Sequence, residues 1–157
     1  MKEQLKELLP SLRRFCCSLT DSVHDADDLL QATVERLLVK GVPDDVVLAK
    51  WAFRVCRNIW IDEYRARRTR QEAVQNPELQ EGSFDGEKRV HAGLALDEVN
   101  RALQQLPDDQ RLVLSLVSIQ GLSYREAADA LDVPTGTVMS RLARARIRLL
   151  EILEPQD

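Results

Sequence analysis

The sequence predicts an all-α protein of two small helical domains joined by a flexible linker. Aliphatic residues dominate its 44% hydrophobic content, whereas aromatic residues make up only 4% of the chain. Six glycines and six prolines are too few for the many turns of a β fold. Apolar residues instead recur at the spacing of helices that bury one face. We place the first domain at residues 1–70, the linker at 71–92 and the second domain at 93–157.

The first helix is marked by one apolar stripe that ends in a turn at residues 20–22. Proline is tolerated in the first turn of a helix but removes a hydrogen bond farther inside. Because Pro10 interrupts the stripe, we expect the main helix to begin near this residue. The stripe consists of Leu5, Leu8, Leu12, Phe15 and Leu19.

A second helix is predicted to run to about residue 38, with Ser22 and Asp25 at its N-terminal cap. Its buried face is expected to contain Ala26, Leu30, Thr33 and Leu37. The acids on the other face need no partner, because the helix dipole favours carboxylates near an N-terminus. That polar face consists of Asp27, Asp28, Gln31 and Glu35.

A long third helix is predicted from about residue 46 to residue 69. We assign Trp51 and Phe53 to the core, whereas Trp60 is left open between the core and an exposed position. Cations beside aromatic rings suit nucleic acids, because the cations bind phosphates while the rings stack on bases. The basic strip of this helix consists of Lys50, Arg54, Arg57, Arg65 and Arg68.

Residues 71–88 lack helical periodicity and contain an Asn-Pro pair, two glycines and five acids against one lysine. This composition is typical of a linker. A helical pattern resumes at residues 96–106, and Pro107 then favours a new helix that Gly121 ends.

Residues 121–153 predict a helix-turn-helix. Ser123 and Glu126 have the spacing of a capping box, and Asp132 is expected in the left-handed conformation that ends a helix. Pro134 then blocks continuation. Thr135 or Thr137 can cap the next helix. Its apolar face consists of Val138, Leu142, Ala145, Leu149 and Ile152.

The second helix of this motif carries a different face of hydroxyl and guanidinium groups. From Arg141 to Arg148 there are four arginines and no acid. Arginine in the major groove hydrogen-bonds guanine or pairs with phosphate. The alternative is a solvated face on an ordinary helical hairpin. The residues of this face are Thr137, Arg141, Arg144 and Arg148.

Charge is distributed unevenly along the chain, whose formal net charge is −4. Residues 54–70 carry six arginines against two acids, whereas residues 21–45 carry seven acids against two basic residues. Local clusters decide which partners a surface attracts, more than the net charge does. We therefore expect three separate surfaces: an acidic one, and two basic ones formed by the third helix and the helix-turn-helix.

Catalytic and metal-binding patterns are not found in the sequence. Cys16, Cys17 and Cys56 lack metal or disulfide spacing, and we assign at least one of the first two to the core. His24 and His91 lie near no zinc-ligand pattern. We therefore expect no enzyme activity, no metal, no cofactor and no small-molecule substrate. No signal peptide or membrane-spanning segment is indicated, so a cytoplasmic protein is expected.

Three stretches together resemble a family over nearly the whole chain. They are DADDLLQATVERLL at residues 25–38, WAFRVCRNIWIDEYRARR at 51–68, and LPDDQRLVLSLVSIQGLSYREAADALDVPTGTVMSRLARARIRL at 106–149. The chain resembles a group IV, or extracytoplasmic-function (ECF), RNA polymerase sigma factor. The resemblance implies two helical domains, sigma regions 2 and 4, that bind bacterial RNA polymerase core and promoter DNA.

The resemblance also implies a role for each polar surface. The acidic face of the second helix would bind the polymerase clamp through Asp27, Asp28, Gln31 and Glu35. The third helix would contact the minus-10 element, with a flipped base, through Arg54, Arg57, Asn58, Arg65 and Arg68. The helix-turn-helix would contact the minus-35 element through Pro134, Thr135, Thr137, Ser140, Arg141 and Arg144.

Two further implications concern regulation and the path of the linker. Many family members are held inactive by an anti-sigma factor, and the acidic linker would run towards the polymerase active site and RNA-exit path. The chain departs from the family pattern at two places. Its loop at residues 40–47 is short, and Met139 stands where many members have arginine.

Two other classes of protein compete with this interpretation. A stand-alone helix-turn-helix regulator would not explain the acidic and basic faces of the first domain. A sigma-mimicking adaptor that binds an anti-sigma factor without touching DNA would not need arginines on both predicted DNA-facing helices. The sequence therefore favours the sigma factor.

Overall fold

The computed structural model describes residues 2–65 and 94–154, and these form seven α-helices and two short π-helices without a strand. The predicted linker at 71–92 and the predicted site residue Arg68 lie outside the described residues. The first domain contains α1 (Lys2–Leu19), α2 (Val23–Lys40), α3 (Leu48–Ile59) and a π-helix (Trp60–Arg65). The second contains α4 (Leu94–Gln104), α5 (Asp108–Leu114), a π-helix (Ser115–Ile119), α6 (Tyr124–Leu131) and α7 (Thr135–Leu153).

The prediction that the main helix begins near Pro10 is wrong. Helix α1 begins at Lys2 and continues through Pro10. Proline costs one backbone hydrogen bond inside a helix. Leu5 before Pro10 and Leu12 after it are both buried, so extending the helix in both directions places apolar surface in the core. Tertiary packing thus outweighs the local cost of the proline.

The core of the first domain is formed where α1, α2 and α3 meet. Phe15 and Phe53 stack edge to face with ring centroids 5.1 Å apart. The cap of α2 is confirmed, because the Ser22 hydroxyl accepts a hydrogen bond from the Asp25 amide at 3.0 Å. On α2 the buried side chains are Ala26, Leu29, Thr33 and Leu37, so Leu29 replaces the predicted Leu30, which is only half-buried.

Helix α3 is shorter than predicted, because the α-helical hydrogen bonding changes to π-helical at Trp60. The Trp60 amide still donates to the carbonyls of Arg57 and Cys56, three and four residues earlier, so the π-helical bonding begins after it. Phe53 is buried, whereas Trp51 is half-buried. The sequence did not decide whether Trp60 is buried or exposed. In the structure this residue is 2% exposed and belongs to the core.

The helix-turn-helix is formed by α6 and α7 as predicted. The Glu126 amide donates to the Ser123 hydroxyl at 3.0 Å, and the Ser123 amide donates to the Glu126 carboxylate at 2.9 Å. Hydrogen bonding to Ser123 lowers the pKa of Glu126, and the bond from the Ser123 backbone amide has the largest effect. Asp132 ends α6 in the left-handed conformation at φ 58 and ψ 49, and Gly121 also has positive φ, at 77.

The cap of α7 differs from the prediction. Neither Thr135 nor Thr137 caps this helix, because Thr135 is already its first residue and Pro134 occupies the cap position. The Pro134 carbonyl instead accepts from the amides of Thr137 and Val138, at 3.0 and 3.3 Å. The first turn of α7 therefore has a backbone acceptor for these two amides and no side-chain cap.

Loss of the α6 capping box is expected to destabilise the protein measurably. Replacing Ser123 with alanine removes the acceptor for the Glu126 amide and should cost about 1 kcal/mol of unfolding free energy. Urea denaturation followed by circular dichroism measures this change. Exposed Ser118→Ala, in which no helix cap is lost, is the matched control. Equal stability of the two variants would contradict the cap assignment.

The two domains pack against each other through polar and apolar contacts. Ser18 and Ser115 share a buried hydrogen bond at 2.5 Å, and the Gln104 amide donates to the Thr20 carbonyl at 2.8 Å. In the middle of α1, the Ser11 hydroxyl donates to the Gln120 side chain at 2.6 Å. These bonds join the C-terminal half of α1, and Thr20 after it, to the second domain.

Candidate nucleic-acid interface

Helix α7 presents one face to the core of the second domain and the opposite face outward. Val138, Leu142 and Ala145 are buried, whereas Leu149 and Ile152 are half-buried. This is the predicted apolar face. The outward side chains include those proposed from sequence for major-groove DNA: Pro134, Thr135, Ser140 and Arg144 are exposed, and Thr137 and Arg141 are half-buried.

Arg141 differs from Arg144 in its surroundings. Its Nε lies 3.5 Å from a carboxylate oxygen of Asp109 on α5, and its side chain is 30% exposed. This pair fixes the direction in which the Arg141 guanidinium leaves α7. Arg144, one turn farther along, is exposed and can reach a partner without breaking that contact.

The basic strip of α3 faces the helix-turn-helix. Lys50 Nζ lies 3.9 Å from Asp129 Oδ2, and Arg54 Nη2 lies 3.8 Å from Asp132 Oδ1. Arg54 also donates a hydrogen bond to the Asp129 carbonyl, and its guanidinium lies 5.8 Å from the centre of the Trp51 ring. Three residues of the predicted strip, Lys50, Arg54 and Arg57, therefore lie on α3, and the first two contact the C-terminal end of α6.

The sequence suggested that the two basic surfaces are separate, but in the structure they meet. Arg57 from α3 and Arg141 from α7 line one cavity of about 380 Å³ between the domains, together with Trp60 and Leu131. Burial, and secondly the charge of Arg54, lower the pKa of Arg57. Arg57 also donates to the neighbouring Asn58 side chain at 2.8 Å. Sequence order did not reveal this proximity, because it arises from the packing of the two domains.

Arg111 is a buried residue of this region, and its role is not indicated by the local sequence pattern. Its side chain is 0% exposed and donates to the carbonyls of Leu19, Gln104 and Leu106 at 3.1 to 3.4 Å. The guanidinium also lies 5.9 Å from the centre of the Trp60 ring. The only sequence signal was an arginine at the end of LPDDQR, close after a helix start.

The acidic face of α2 is partly paired within the first domain. Asp27 accepts from Arg13 at 3.1 and 3.2 Å, and Asp28 lies 3.4 Å from His24. Gln31 and Glu35 are exposed, as are Leu38 and Val39 at the end of the same helix. The C-terminal end of α2 therefore combines the Glu35 carboxylate with two exposed aliphatic side chains.

A second cavity, of about 470 Å³, opens where α2 meets the loop before α3. Its lining offers cations, an aromatic ring and an amide, which are the groups that bind a nucleotide's phosphate and base. They include Arg36, Lys40, Trp51 and Asn58. Arg65 ends the π-helix after α3, and Arg68 lies outside the described residues.

The cysteines form a buried contact. Cys16 and Cys56 are both buried, with their sulfur atoms 3.6 Å apart, whereas Cys17 is half-buried. The contact with Cys56, followed by burial, raises the pKa of Cys16 far above its ordinary value, and burial raises the pKa of Cys17. Across residues 2–65 and 94–154, no cluster of ligating side chains could hold a metal ion. Within those same ranges, no helix has the length and apolar character needed to cross a bilayer.

These features define a class: a two-domain, all-helical DNA-binding protein with a helix-turn-helix and an acidic helix at the opposite end of the chain. Comparison with family models makes the class specific. Residues 5–70 match the model of sigma-70 region 2, and residues 96–149 match that of sigma-70 region 4.

Known proteins agree with both matches. The chain is 34% identical to the ECF RNA polymerase sigma factor EcfG of Rhodopseudomonas palustris, over 98% of this chain and 84% of that protein. Its structure resembles the sigma factor RpoE of Bartonella quintana, solved with the anti-sigma factor NepR, at a TM-score of 0.74 and 31% identity over 99% and 98% of the two chains. It also resembles CnrH, solved with the cytosolic domain of CnrY, at a TM-score of 0.71 and 26% identity over 99% and 88% of the chains.

The chain belongs to the ECF family of RNA polymerase sigma factors. It is an alternative sigma factor, a transcription initiation factor and not an enzyme. Proteins of this family bind RNA polymerase core and promoter DNA.

Proposed function

We propose that α7 of this sigma factor recognises the minus-35 element in the major groove. The observation that carries the proposal is the position of Thr135, Ser140 and Arg144, which are exposed on the side of α7 away from its buried residues. A helix with one face in the core and hydroxyl and guanidinium groups on the other can enter the groove without unfolding. Pro134, Thr137 and Arg141 complete the proposed contact set.

We propose that α3 contacts the minus-10 element, with Arg54, Arg57 and Asn58 as contact residues and with Arg65 and Arg68 farther along. The cavity beside α3 supports this role, because the Trp51 ring can stack on an extruded base while Lys40 binds its phosphate. The short loop at residues 40–47 is therefore sufficient to border a pocket of nucleotide size. Extrusion of a base would expose its hydrogen-bonding edge to the Asn58 amide.

The acidic face of α2 is proposed to bind the polymerase clamp, and its residues are Asp27, Asp28, Gln31 and Glu35. Asp27 is already held by Arg13, so the exposed Glu35 and the half-buried Asp28 are the groups most available to a basic partner. The aliphatic side chains of Leu38 and Val39 lie about one turn beyond Glu35, at the C-terminal end of α2, and would add apolar contact there.

Reversal of this acidic face is expected to weaken binding of the core. The double variant Asp28→Lys/Glu35→Lys should lower core affinity by on the order of tenfold or more, because favourable charge pairs become repulsive. Affinity is measured by fluorescence anisotropy of labelled sigma factor with purified core, and circular dichroism checks helicity. Glu3→Lys/Glu7→Lys, on the exposed face of α1, is the matched control. Unchanged core affinity in the α2 variant would disprove the clamp assignment.

We further propose that an anti-sigma factor holds this protein inactive in the cytoplasm. The support is that RpoE, which this chain resembles over 99% of its length, was solved with the anti-sigma factor NepR. An adaptor that only mimics a sigma factor would not need DNA-facing cations, yet Arg144, Arg146 and Arg148 are exposed on α7. Run-off transcription with core polymerase on genomic fragments tests the function directly. Failure to produce defined transcripts would contradict it.

A further inference from the structure

Arg141 of α7 is paired with an acid of the neighbouring helix. Asp109 lies in the first turn of α5, and one of its carboxylate oxygens is 3.5 Å from Arg141 Nε. Helix α5 packs directly against α7 within the second domain, and Leu112 on α5 and Leu142 on α7 are both buried. The packing of two helices of one domain therefore sets the position of the carboxylate relative to the guanidinium.

The contact uses the guanidinium nitrogen nearest the stem of the side chain. Arginine carries its N–H donors in one rigid plane, one at Nε and the others at the two terminal nitrogens. A carboxylate at Nε therefore fixes this plane and leaves the terminal nitrogens of Arg141 available. A pair of such donors matches O6 and N7 of guanine, which is the commonest specific contact in the major groove.

The restraint distinguishes Arg141 from the arginines that follow it on α7. Arg144, Arg146 and Arg148 are exposed, whereas Arg141 is 30% exposed and paired with Asp109. A long cationic side chain without a fixed direction has many rotamers and can pair with whichever phosphate is nearest. Phosphate contacts carry no sequence information. Fixing the direction of Arg141 thus favours the reading of a base.

Asp109 does not improve DNA affinity or the stability of the fold. Its side chain is 54% exposed beside a proposed DNA-binding cation, where a carboxylate repels phosphates. A partly exposed ion pair also adds little to stability. The helix dipole favours an acid in the first turn of α5, but Asp108 already supplies one. Selectivity does account for this acid, because weaker binding to all sequences raises discrimination when the correct sequence gains a contact.

We propose that Asp109 is a positioning residue for minus-35 recognition: it holds Arg141 at Nε, so that the terminal nitrogens read a guanine instead of pairing with the nearest phosphate. The proposal rests on the proposed minus-35 contact of Arg141. Asp109 does not touch the DNA and acts through Arg141 alone. Its loss would leave the holoenzyme able to bind DNA but less able to distinguish the minus-35 element from other sequences.

Discrimination is measured as the ratio of two affinities. Holoenzyme reconstituted from core polymerase and this chain is titrated into fluorescent promoter duplexes with an intact or a scrambled minus-35 element, and anisotropy reports binding. Asp109→Asn keeps the size of the side chain and removes its charge. The ratio should fall about three- to tenfold, because Arg141 must then be ordered on binding.

The scrambled duplex gives a second signature of the same change. In Asp109→Asn, Arg141 becomes free to bind a phosphate, so affinity for this duplex should stay equal or rise about twofold. Its salt dependence should steepen by about one unit. A purely structural role of Asp109 would weaken binding to both duplexes alike. An unchanged ratio would therefore disprove the positioning role.

Two further variants separate position from charge. Glu151→Gln removes the same charge from an exposed site on α7, about 15 Å farther along the helix axis, and should keep the parent's ratio. Asp109→Glu retains a carboxylate and should recover most of the discrimination. An equal loss in Glu151→Gln, or an Asp109→Glu ratio as low as that of Asp109→Asn, would overturn the proposal.

A double-mutant cycle separates positioning from a direct contact. Arg141→Ala removes the reading side chain, so the addition of Asp109→Asn should lower the ratio no further. An aspartate that itself accepted a hydrogen bond from cytosine would instead lower the ratio by the same factor in both backgrounds. That outcome would show that the positioning role is wrong.

The base that Arg141 reads is found by replacing single base pairs of the minus-35 element. One replacement should weaken binding of the parent but have little effect on binding of Arg141→Ala. The base pair at that position should be G·C, because the available terminal nitrogens are donors that match O6 and N7 of guanine. An A·T pair at that position would contradict the proposed geometry.

Failure of the underlying function gives a different result from failure of this inference. If Arg141→Ala and Arg144→Ala both keep the parent's ratio, α7 does not read the minus-35 element, and the proposed function fails together with the positioning role. If Arg141→Ala lowers the ratio but Asp109→Asn does not, only the positioning role is wrong.

Discussion

Promoter-directed transcription is expected to fall about five- to 150-fold when Arg141 or Arg144 is replaced by alanine. The range corresponds to a charge-assisted base contact worth on the order of 1–3 kcal/mol. Both positions lie beside, and not within, the buried line of α7, so the core should remain intact and the melting temperature should change little. Transcription is measured with core polymerase on a promoter identified by run-off assays.

The structure supplies the control for this experiment. Arg146 is exposed on the flank of α7, so Arg146→Ala removes the same charge and should matter less. A template with a scrambled minus-35 element separates base recognition from phosphate binding. A phosphate contact alone would weaken all sequences alike and reduce the salt dependence by about one unit. Equal fold losses on intact and scrambled templates would mean that neither arginine reads the minus-35 sequence.

Replacement of Arg111 by alanine is expected to lower the unfolding free energy by on the order of 3–5 kcal/mol. The change leaves the carbonyls of Leu19, Gln104 and Leu106 without their buried donor and opens a cavity beneath Trp60. A loss of this size should lower the melting temperature by roughly 10 °C. Calorimetry and urea denaturation measure it.

Arg101→Ala is the matched control, because Arg101 is exposed on α4 near the same turn. Its stability should stay within about 0.5 kcal/mol of the parent. Arg111→Lys should recover only part of the loss, since an ammonium group cannot reach all of these acceptors in the planar geometry of a guanidinium. Parent-like stability of Arg111→Ala would show that the buried network is energetically neutral.

Local sequence chemistry predicted most of the described helices. Ser22, Ser123 and Asp132 each act within a few residues, so their roles in ending or starting helices follow from residue type and spacing. Two local predictions were wrong, one because of long-range packing and the other because of an adjacent backbone group. Burial of Leu5 and Leu12 carries α1 through Pro10, and the Pro134 carbonyl replaces a threonine cap at α7.

The candidate site was predicted less completely than the helices. The arginine face of α7 could be read from periodicity, because its residues lie on one element. The contacts of Arg54 with Asp129 and Asp132, and of Arg111 with Leu19, join residues about 75 to 92 positions apart. Nothing in the local pattern around either partner encodes such a pairing. The exposed acids on α6 were therefore not foreseen as partners of α3.

The buried contact between Cys16 and Cys56 has a kinetic consequence. Alkylating reagents attack the thiolate, and the raised pKa of Cys16 leaves little thiolate at neutral pH. Its 0% exposure also bars the reagent, so modification must wait for a local opening of α1 from α3. The rate at which this sulfur is alkylated therefore reports how often α1 opens locally from α3. Alkylation of Cys16 thus measures the local opening of the first domain's core.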